Sequence, residues 1–248
     1  MLKGYSNNFL KLLTLALVYV ISAKAGLLLA FEQVNTSPVW PPTGIAIAAL
    51  LFCGLRMWPG IFMGAFLANF YVSSSLTLSL VIAIGNTLEA LAAGYIILHF
   101  ASSNPFSRTY ETAIFILALF ASTMISASIG VGSLFFTGII SHEDFSLLWK
   151  TWWIGDLVGA LVVTPFLLTW FRLPFGRFTK KQTAEAAGLF MITLCVLGNV
   201  FAQWQLFDIS EELVIFSLLP ILAWSALRFH HYGATLIVIV ISTAAIIG

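Results

Sequence analysis

Three ionisable residues lie inside apolar stretches of the sequence: Lys24, Glu89 and Asp156. A charged side chain within a membrane costs about 3 kcal/mol or more unless it is paired or hydrated, so each of them is a candidate functional residue. Asp156 belongs to the string WKTWWIGDLVGALVVTP at 149–165, whose small glycine residues favour close packing between helices.

Two interpretations of these residues stay open. In the first, Lys24 pairs with one of the acids and the asparagines Asn69, Asn86 and Asn199 hydrogen-bond between helices. In the second, the deep polar residues line a small-molecule site in the outer half of the membrane, because a few convergent polar groups among apolar and Trp side chains are typical of ligand pockets. The predicted ligand-binding residues are then Lys24, Trp40, Asn69, Asn86, Glu89, Trp152, Trp153 and Asp156.

The segment NTSPVWPPTG at 35–44 combines prolines with small polar residues, so a regular helix before Pro42 is excluded. Non-helical backbone at membrane depth is tolerated where protein or a water-filled cavity surrounds it. We therefore expect residues 35–44 to fold into the bundle and line the pocket. The alternative is an ordinary outer loop with Trp40 at the lipid headgroups.

The rest of the sequence predicts an all-α, polytopic transmembrane helix bundle of about eight or nine spans. Hydrophobic residues make up 60% of the 248 residues and charged residues 8%, which is too few to cover a soluble domain. Apolar runs this long are helices, because lipid offers the backbone no hydrogen-bond partner. The predicted spans are 9–31, 43–57, 59–74, 78–100, 111–139, 149–171, 184–205, 212–229 and 233–248.

The distribution of basic residues predicts a cytoplasmic N-terminus. With that orientation Lys3, Lys11 and the basic loop RLPFGRFTKK at 172–181 all face the cytoplasm, as the positive-inside rule requires. The second and third spans, each about 15 residues long, would rise only about 22 Å. They are too short to cross the hydrocarbon core, which is about 30 Å thick, without a re-entrant segment beside them.

Several functions are excluded by residue type. A net charge of +1 argues against a nucleic-acid surface, and the two cysteines lie in apolar runs, where no disulfide or metal site is expected. No pair of histidines within the spans could hold haem, and no second deep aspartate accompanies Asp156 for intramembrane proteolysis. We expect no catalysis and no cofactor in this region.

The string NTSPVWPPTGIAIAALLFCGLRMWPGIFMGAFLANF at 35–70 resembles the first family of membrane-associated sensor domains, the MASE type of bacterial signalling proteins. The resemblance continues in order through IGNTLEALAAGYIIL at 84–98, SIGVG at 128–132, WWIGDLVGALVVTP at 152–165 and LPILAWSALRF at 219–229. The recurring family residues fall on Trp40, Pro41, Pro42, Gly44, Arg56, Pro59, Gly60, Asn69, Asn86, Glu89, Trp153, Gly155, Asp156, Pro165 and Arg228.

This resemblance implies an integral-membrane sensor domain over residues 1–248, in the bacterial inner membrane. In that family the domain usually precedes a cytoplasmic histidine kinase or a cyclic-di-GMP synthase or hydrolase. Because the ninth predicted span would leave Gly248 outside, we expect that the last helix and the output module follow residue 248.

The leading functional hypothesis is a sensory input domain that binds a small molecule, or senses the membrane state, in the outer-half pocket. The expected partners are the lipid bilayer, the unidentified small molecule or a neighbouring membrane protein, a cytoplasmic output domain and a second copy of the chain as a homodimer; no nucleic acid is expected. The alternatives are a small-molecule transporter or substrate-capture subunit, favoured by the short paired spans, and an assembly platform for another membrane protein.

Overall fold

The computed structural model describes residues 2–28, 39–102, 105–172, 178–201 and 215–247. Within these ranges the chain is all-α, as the composition predicts, with eight α-helices and a short 3-10 helix at Leu55–Met57. The helices are α1 (Leu2–Leu28), α2 (Pro41–Cys53), α3 (Trp58–Ser73), α4 (Leu76–Phe100), α5 (Thr109–Phe136), α6 (His142–Trp170), α7 (Lys180–Val200) and α8 (Leu218–Ile247).

Among the described residues, five helices are long and apolar enough to cross a membrane: residues Asn8–Leu28 of α1, and α4, α5, α6 and α7. Helix α2 has 13 residues and α3 has 16. At 1.5 Å per residue α2 rises only about 20 Å, so the prediction that the second span is short is confirmed.

Several helix boundaries differ from the sequence prediction: α1 begins at Leu2 instead of 9, and the beginnings of α6 and α2 differ as well. Helix α6 begins at His142 instead of 149. The prediction missed its first turns because they are polar and carry no hydropathy signal. The Ser141 hydroxyl caps this end by accepting a hydrogen bond from the Asp144 amide at 3.3 Å. Helix α2 begins at Pro41, so residues 41–44 are helical and do not belong to a loop. Proline is favoured in the first turn because its φ is already helical.

The chain divides into two compact units, and the first comprises residues Met1–Thr164. Helix α4 is central in this unit, since it packs against α2, α3 and α5, while α1 packs against α2 and α3. Small side chains on α4, including Ala83, Gly85 and Gly94, are buried and allow neighbouring helices to approach. A polar residue on the buried face of α4 therefore contacts neighbouring helices.

The second unit comprises residues Pro165–Gly248. Helix α7 begins with a capping box, in which Thr179 and Gln182 satisfy each other's backbone amides. Helix α8 is interrupted at His230, whose φ is 54°, so its two halves correspond to the predicted spans 212–229 and 233–248. Residues 202–214 and Gly248, on which those spans also depend, lie outside the described residues.

Candidate functional site

Two buried carboxyl groups form the centre of a polar site in the first unit. Glu89, on α4, and Asp156, on α6, each expose 1% of their surface. The two groups lie within electrostatic range of each other. The hydroxyl of Thr43, in the first turn of α2, donates a hydrogen bond of 3.0 Å to Asp156 Oδ1. Three helices therefore meet at this pair of acids.

A chain of hydrogen bonds runs beside the two acids and joins four helices. The indole of Trp152 donates to the Ser126 hydroxyl at 3.2 Å, and Ser126 donates to Asn86 Oδ1 at 2.7 Å. The Asn86 amide in turn donates to the Tyr19 hydroxyl at 3.2 Å. Helices α6, α5, α4 and α1 are thus connected through side chains that are largely removed from solvent, where such networks specify one arrangement of helices.

Three carboxylate oxygens at the site have no hydrogen-bond partner among the described residues: both oxygens of Glu89 and Oδ2 of Asp156. The hydroxyls of Thr43 and Ser126 lie near Glu89. However, each hydroxyl has a single hydrogen, which Thr43 gives to Asp156 and Ser126 gives to Asn86. A buried carboxyl group without a partner costs free energy, so the site would gain from an added donor.

A cavity of about 790 Å³ opens beside these acids. Asp156, Asn86 and Asn69 supply polar groups to its wall, and the indole rings of Trp40 and Trp152 also line it. Its volume lies within the usual range of small-molecule sites, which is roughly 300–1,000 Å³. The exposed Asp144, at the beginning of α6, belongs to the same lining.

The turn that carries Trp40 is fixed directly against α6. The Trp40 amide donates to the Gly155 carbonyl oxygen at 2.9 Å, and the Thr164 hydroxyl donates to the Gly44 carbonyl oxygen at 3.0 Å. A side chain at Gly159 would place its Cβ in overlap with the Trp40 carbonyl oxygen. The absence of a side chain at Gly159 permits this close approach. The WPPTG and WWIGD strings therefore pack directly against each other.

The structure brings together most of the predicted ligand-binding residues. Five of them line the cavity: Trp40, Asn69, Asn86, Trp152 and Asp156. Glu89 is buried one helical turn from Asn86, next to Asp156 and behind the lining. The part of the predicted pocket loop at 35–38 lies outside the described residues.

Two predicted residues lie elsewhere. The Lys24 side chain is exposed and its ammonium group stands over the Tyr71 ring, 4.5 Å from the centroid, so the structure shows a cation–π contact and not the predicted pairing with an acid. The Trp153 indole donates to the Phe120 carbonyl oxygen at 3.3 Å and packs edge-on against the Phe120 ring, outside the cavity lining.

Three residues of the site were not among the sequence predictions: Tyr19, Thr43 and Ser126. Thr43 belongs to the distinctive WPPTG string, which was a usable signal. Tyr19 and Ser126 lie in ordinary apolar and small-residue stretches, where no pattern separates them from their neighbours.

Comparison with known families bears on the whole chain. A family model named MASE1 matches residues 11–248. The chain belongs to the MASE1 family. MASE1 is a family of membrane-associated sensor domains, so the resemblance predicted from the sequence is confirmed. No curated protein and no solved structure gives a significant match.

Membership of MASE1 and the five long apolar helices together identify a multi-pass membrane protein. Both strings on which the resemblance most depends, WPPTG and WWIGD, lie within the matched region. In the structure they pack against each other and supply Trp40, Trp152 and Asp156 to the cavity. The most distinctive MASE1 strings in this sequence therefore also supply residues to the polar cavity beside Asp156.

Proposed function

We propose that this MASE1 chain is the membrane-embedded input domain of a bacterial signalling protein, and that a small molecule binds in the cavity beside Asp156. The observation that carries the proposal is the pair of buried carboxyl groups with unpartnered oxygens next to a cavity of about 790 Å³. A site maintained for packing alone would lose stability by keeping such groups, whereas a binding site uses them.

The signal is a change in helix packing. The hydrogen bonds at the site join α1, α2, α4, α5 and α6, so a ligand that takes a hydrogen bond from this network alters several helix contacts together. The ligand must bind two arrangements of these helices with different affinity, since otherwise it shifts no equilibrium.

The proposed location is the inner membrane with a cytoplasmic N-terminus. This orientation follows from the basic residues near the N-terminus and at 172–181. It places the end of α1, the end of α3 and the beginning of α4, which contribute Leu27, Ser73 and Ser75 to the cavity, on the outer side. The output domain is a cytoplasmic histidine kinase or a cyclic-di-GMP enzyme.

The test uses the full-length protein in lipid nanodiscs, with autophosphorylation or cyclic-di-GMP turnover as the readout. Asp156→Asn keeps the shape of the side chain and changes its charge and hydrogen bonding. We expect it to change the basal output by about threefold or more, because a shift of this size needs less than about 1 kcal/mol between two states.

Trp153→Phe is the matched control, since Trp153 lies three residues from Asp156 on the same helix but outside the cavity lining. Its output should stay within experimental error of the unaltered protein. Equal output from all three proteins would contradict the proposal. Uptake of a solute into liposomes by the chain would instead favour the transporter hypothesis, which the short helices α2 and α3 motivate.

A further inference from the structure

The described lining of the cavity contains two acidic residues, Asp144 and Asp156, and no lysine, arginine or histidine. The nearby Lys24 is directed to the Tyr71 ring. We infer that the cavity binds an organic cation, a molecule with an ammonium or guanidinium group on an apolar body. This inference rests on the proposed function and specifies the class of its ligand.

The charged end of the cation is bound by Asp156, which lines the cavity. Asp156 is fixed in position by Thr43, which occupies Oδ1 and leaves Oδ2 without a partner. Glu89 adds two more unpartnered oxygens within electrostatic range of Asp156. Ammonium and guanidinium groups carry several N–H donors and no acceptor, so they match the unpartnered oxygen that Asp156 presents at the cavity.

The walls suit the remainder of such a molecule. Trp40 and Trp152 line the cavity, and indole is the aromatic ring that attracts cations most strongly. The Trp152 indole N–H is already used by Ser126, so this ring offers the ligand its π surface and not a hydrogen bond. The lining also contains the apolar residues Leu134, Ile139, Ile140, Leu147 and Leu148.

Two sources could supply this chemistry: a free organic cation from outside the cell, or the ammonium headgroup of a membrane lipid. Both present the same charged group to Asp156. A lipid headgroup would occupy the cavity whenever the membrane contains aminophospholipid, whereas a free cation would not depend on that lipid. Nanodiscs of different lipid composition therefore distinguish the two sources.

The test measures how fast a cysteine in the cavity reacts with two methanethiosulfonate reagents of similar size, one bearing trimethylammonium and the other sulfonate. The cysteine replaces Ile82, which lines the cavity one helical turn before Asn86, in a chain with Cys53 and Cys195 changed to alanine. Phe136→Cys is the reference, because Phe136 is 88% exposed and outside the lining.

The ratio of cationic to anionic reaction rates at Ile82→Cys, divided by the same ratio at Phe136→Cys, should be at least about ten. A single carboxylate about 10 Å from the thiol is sufficient, because at an effective dielectric constant near 20 it supplies an attraction of about 1.4 kcal/mol or more, which corresponds to a tenfold effect. Adding Asp156→Asn or Glu89→Gln should lower the ratio several-fold, and adding Trp153→Phe should leave it unchanged.

Nanodiscs with and without phosphatidylethanolamine identify the source. Slower cationic modification of Ile82→Cys in the presence of this lipid, relative to Phe136→Cys, assigns the cavity to the lipid headgroup. Equal rates assign it to a free cation.

A normalised ratio near one, or one that Asp156→Asn and Glu89→Gln do not alter, would overturn the inference. So would a cysteine at position 82 that neither reagent reaches, because a cavity closed to molecules of this size cannot bind the proposed ligand. The proposed function fails separately, when Asp156→Asn leaves the output unchanged although the cavity selects cations.

Discussion

The two units of the chain each contain a cavity with buried polar atoms, and the two cavities differ in charge. The first unit has the cavity of about 790 Å³ beside Asp156 and Glu89. The second has a cleft of about 190 Å³ lined by residues such as Trp170, Phe178 and Phe229, with no charged residue among those that the structure describes there.

The unpartnered atoms in the second cleft are neutral groups, the Ser225 hydroxyl and the Trp170 indole N–H. A neutral hydroxyl without a partner costs about 1–3 kcal/mol, whereas a carboxylate in the same situation costs more. Among the described residues, the second cleft therefore leaves only neutral groups unpaired. The first cavity keeps groups that are costly to leave unpaired, which is why the proposed ligand is assigned there.

The largest expected effect comes from adding a side chain at Gly159, where α6 closely approaches Trp40 at the wall of the first cavity. In Gly159→Val the added side chain would overlap the Trp40 carbonyl group, since even a Cβ at this position would collide with the carbonyl oxygen. Overpacking of this kind costs about 3 kcal/mol or more where backbone must move. We expect loss of the folded protein, measured by size-exclusion chromatography and thermal unfolding in detergent.

Gly188→Ala is the control for this prediction. Gly188 lies in α7 of the second unit and is exposed, and a Cβ added to it would meet no atom within 4 Å. Alanine favours helix by about 1 kcal/mol over glycine, so this variant should be as stable as the unaltered protein or more stable. Similar losses for both variants would contradict the importance of the Gly159 contact.

The next effect has the opposite sign. Glu89→Met removes the two unpartnered oxygens and keeps a similar volume, so it should stabilise the protein by about 1–3 kcal/mol, or roughly 2–8 °C in Tm. Ser225→Ala removes the neutral counterpart and should raise Tm by less. Thermal unfolding in identical nanodiscs measures both.

A fall in Tm for Glu89→Met would show that the carboxyl group has a stabilising partner, and would remove the contrast between the two cavities. A stabilised Glu89→Met protein should also have a lower normalised cation ratio at Ile82→Cys. Stability and ligand selectivity would then change in opposite directions at one residue, as expected for a binding site.

The smallest expected effect concerns the ion pair of the second unit. Arg228 Nε donates to both carboxylate oxygens of Glu185 at 2.8 Å, and the two side chains are 42% and 24% exposed. Pairs this exposed contribute little. A double-mutant cycle with Arg228→Gln and Glu185→Gln should give a coupling of at most about 2 °C in Tm, decreasing with salt. A larger, salt-independent coupling would contradict this prediction.

The sequence is sufficient to predict the residues of the site that contrast with their surroundings. Glu89 and Asp156 are acids within apolar helices, and Trp40 lies in a string of prolines, so each can be identified without a structure. Lys24 is also a charged residue within an apolar stretch, but it does not line the cavity. Its long side chain carries the charge to the Tyr71 ring, and a position in a helix does not specify where such a chain ends.

The hydrogen bond of the Thr43 hydroxyl could not be predicted from the sequence, for a different reason. Threonine within a helix often donates to the carbonyl oxygen one turn back, as Thr87 does to Ala83 at 2.6 Å. Thr43 instead donates across to Asp156. Both residues look alike in an apolar sequence, and only the approach of α6 to the beginning of α2 separates them.

The short length of α2 has a mechanical consequence. Its first turn is fastened to α6 through Trp40 and Thr43, and its other end, at Cys53, leads through Gly54 into the 3-10 helix Leu55–Met57. A rigid rod about 20 Å long that tilts by about 5° at one end moves its other end by nearly 2 Å. Helix shifts in allosteric transitions are typically about 1–2 Å. A small tilt of α2 at its contact with Asp156 would therefore move the end at Cys53 by a distance of this size.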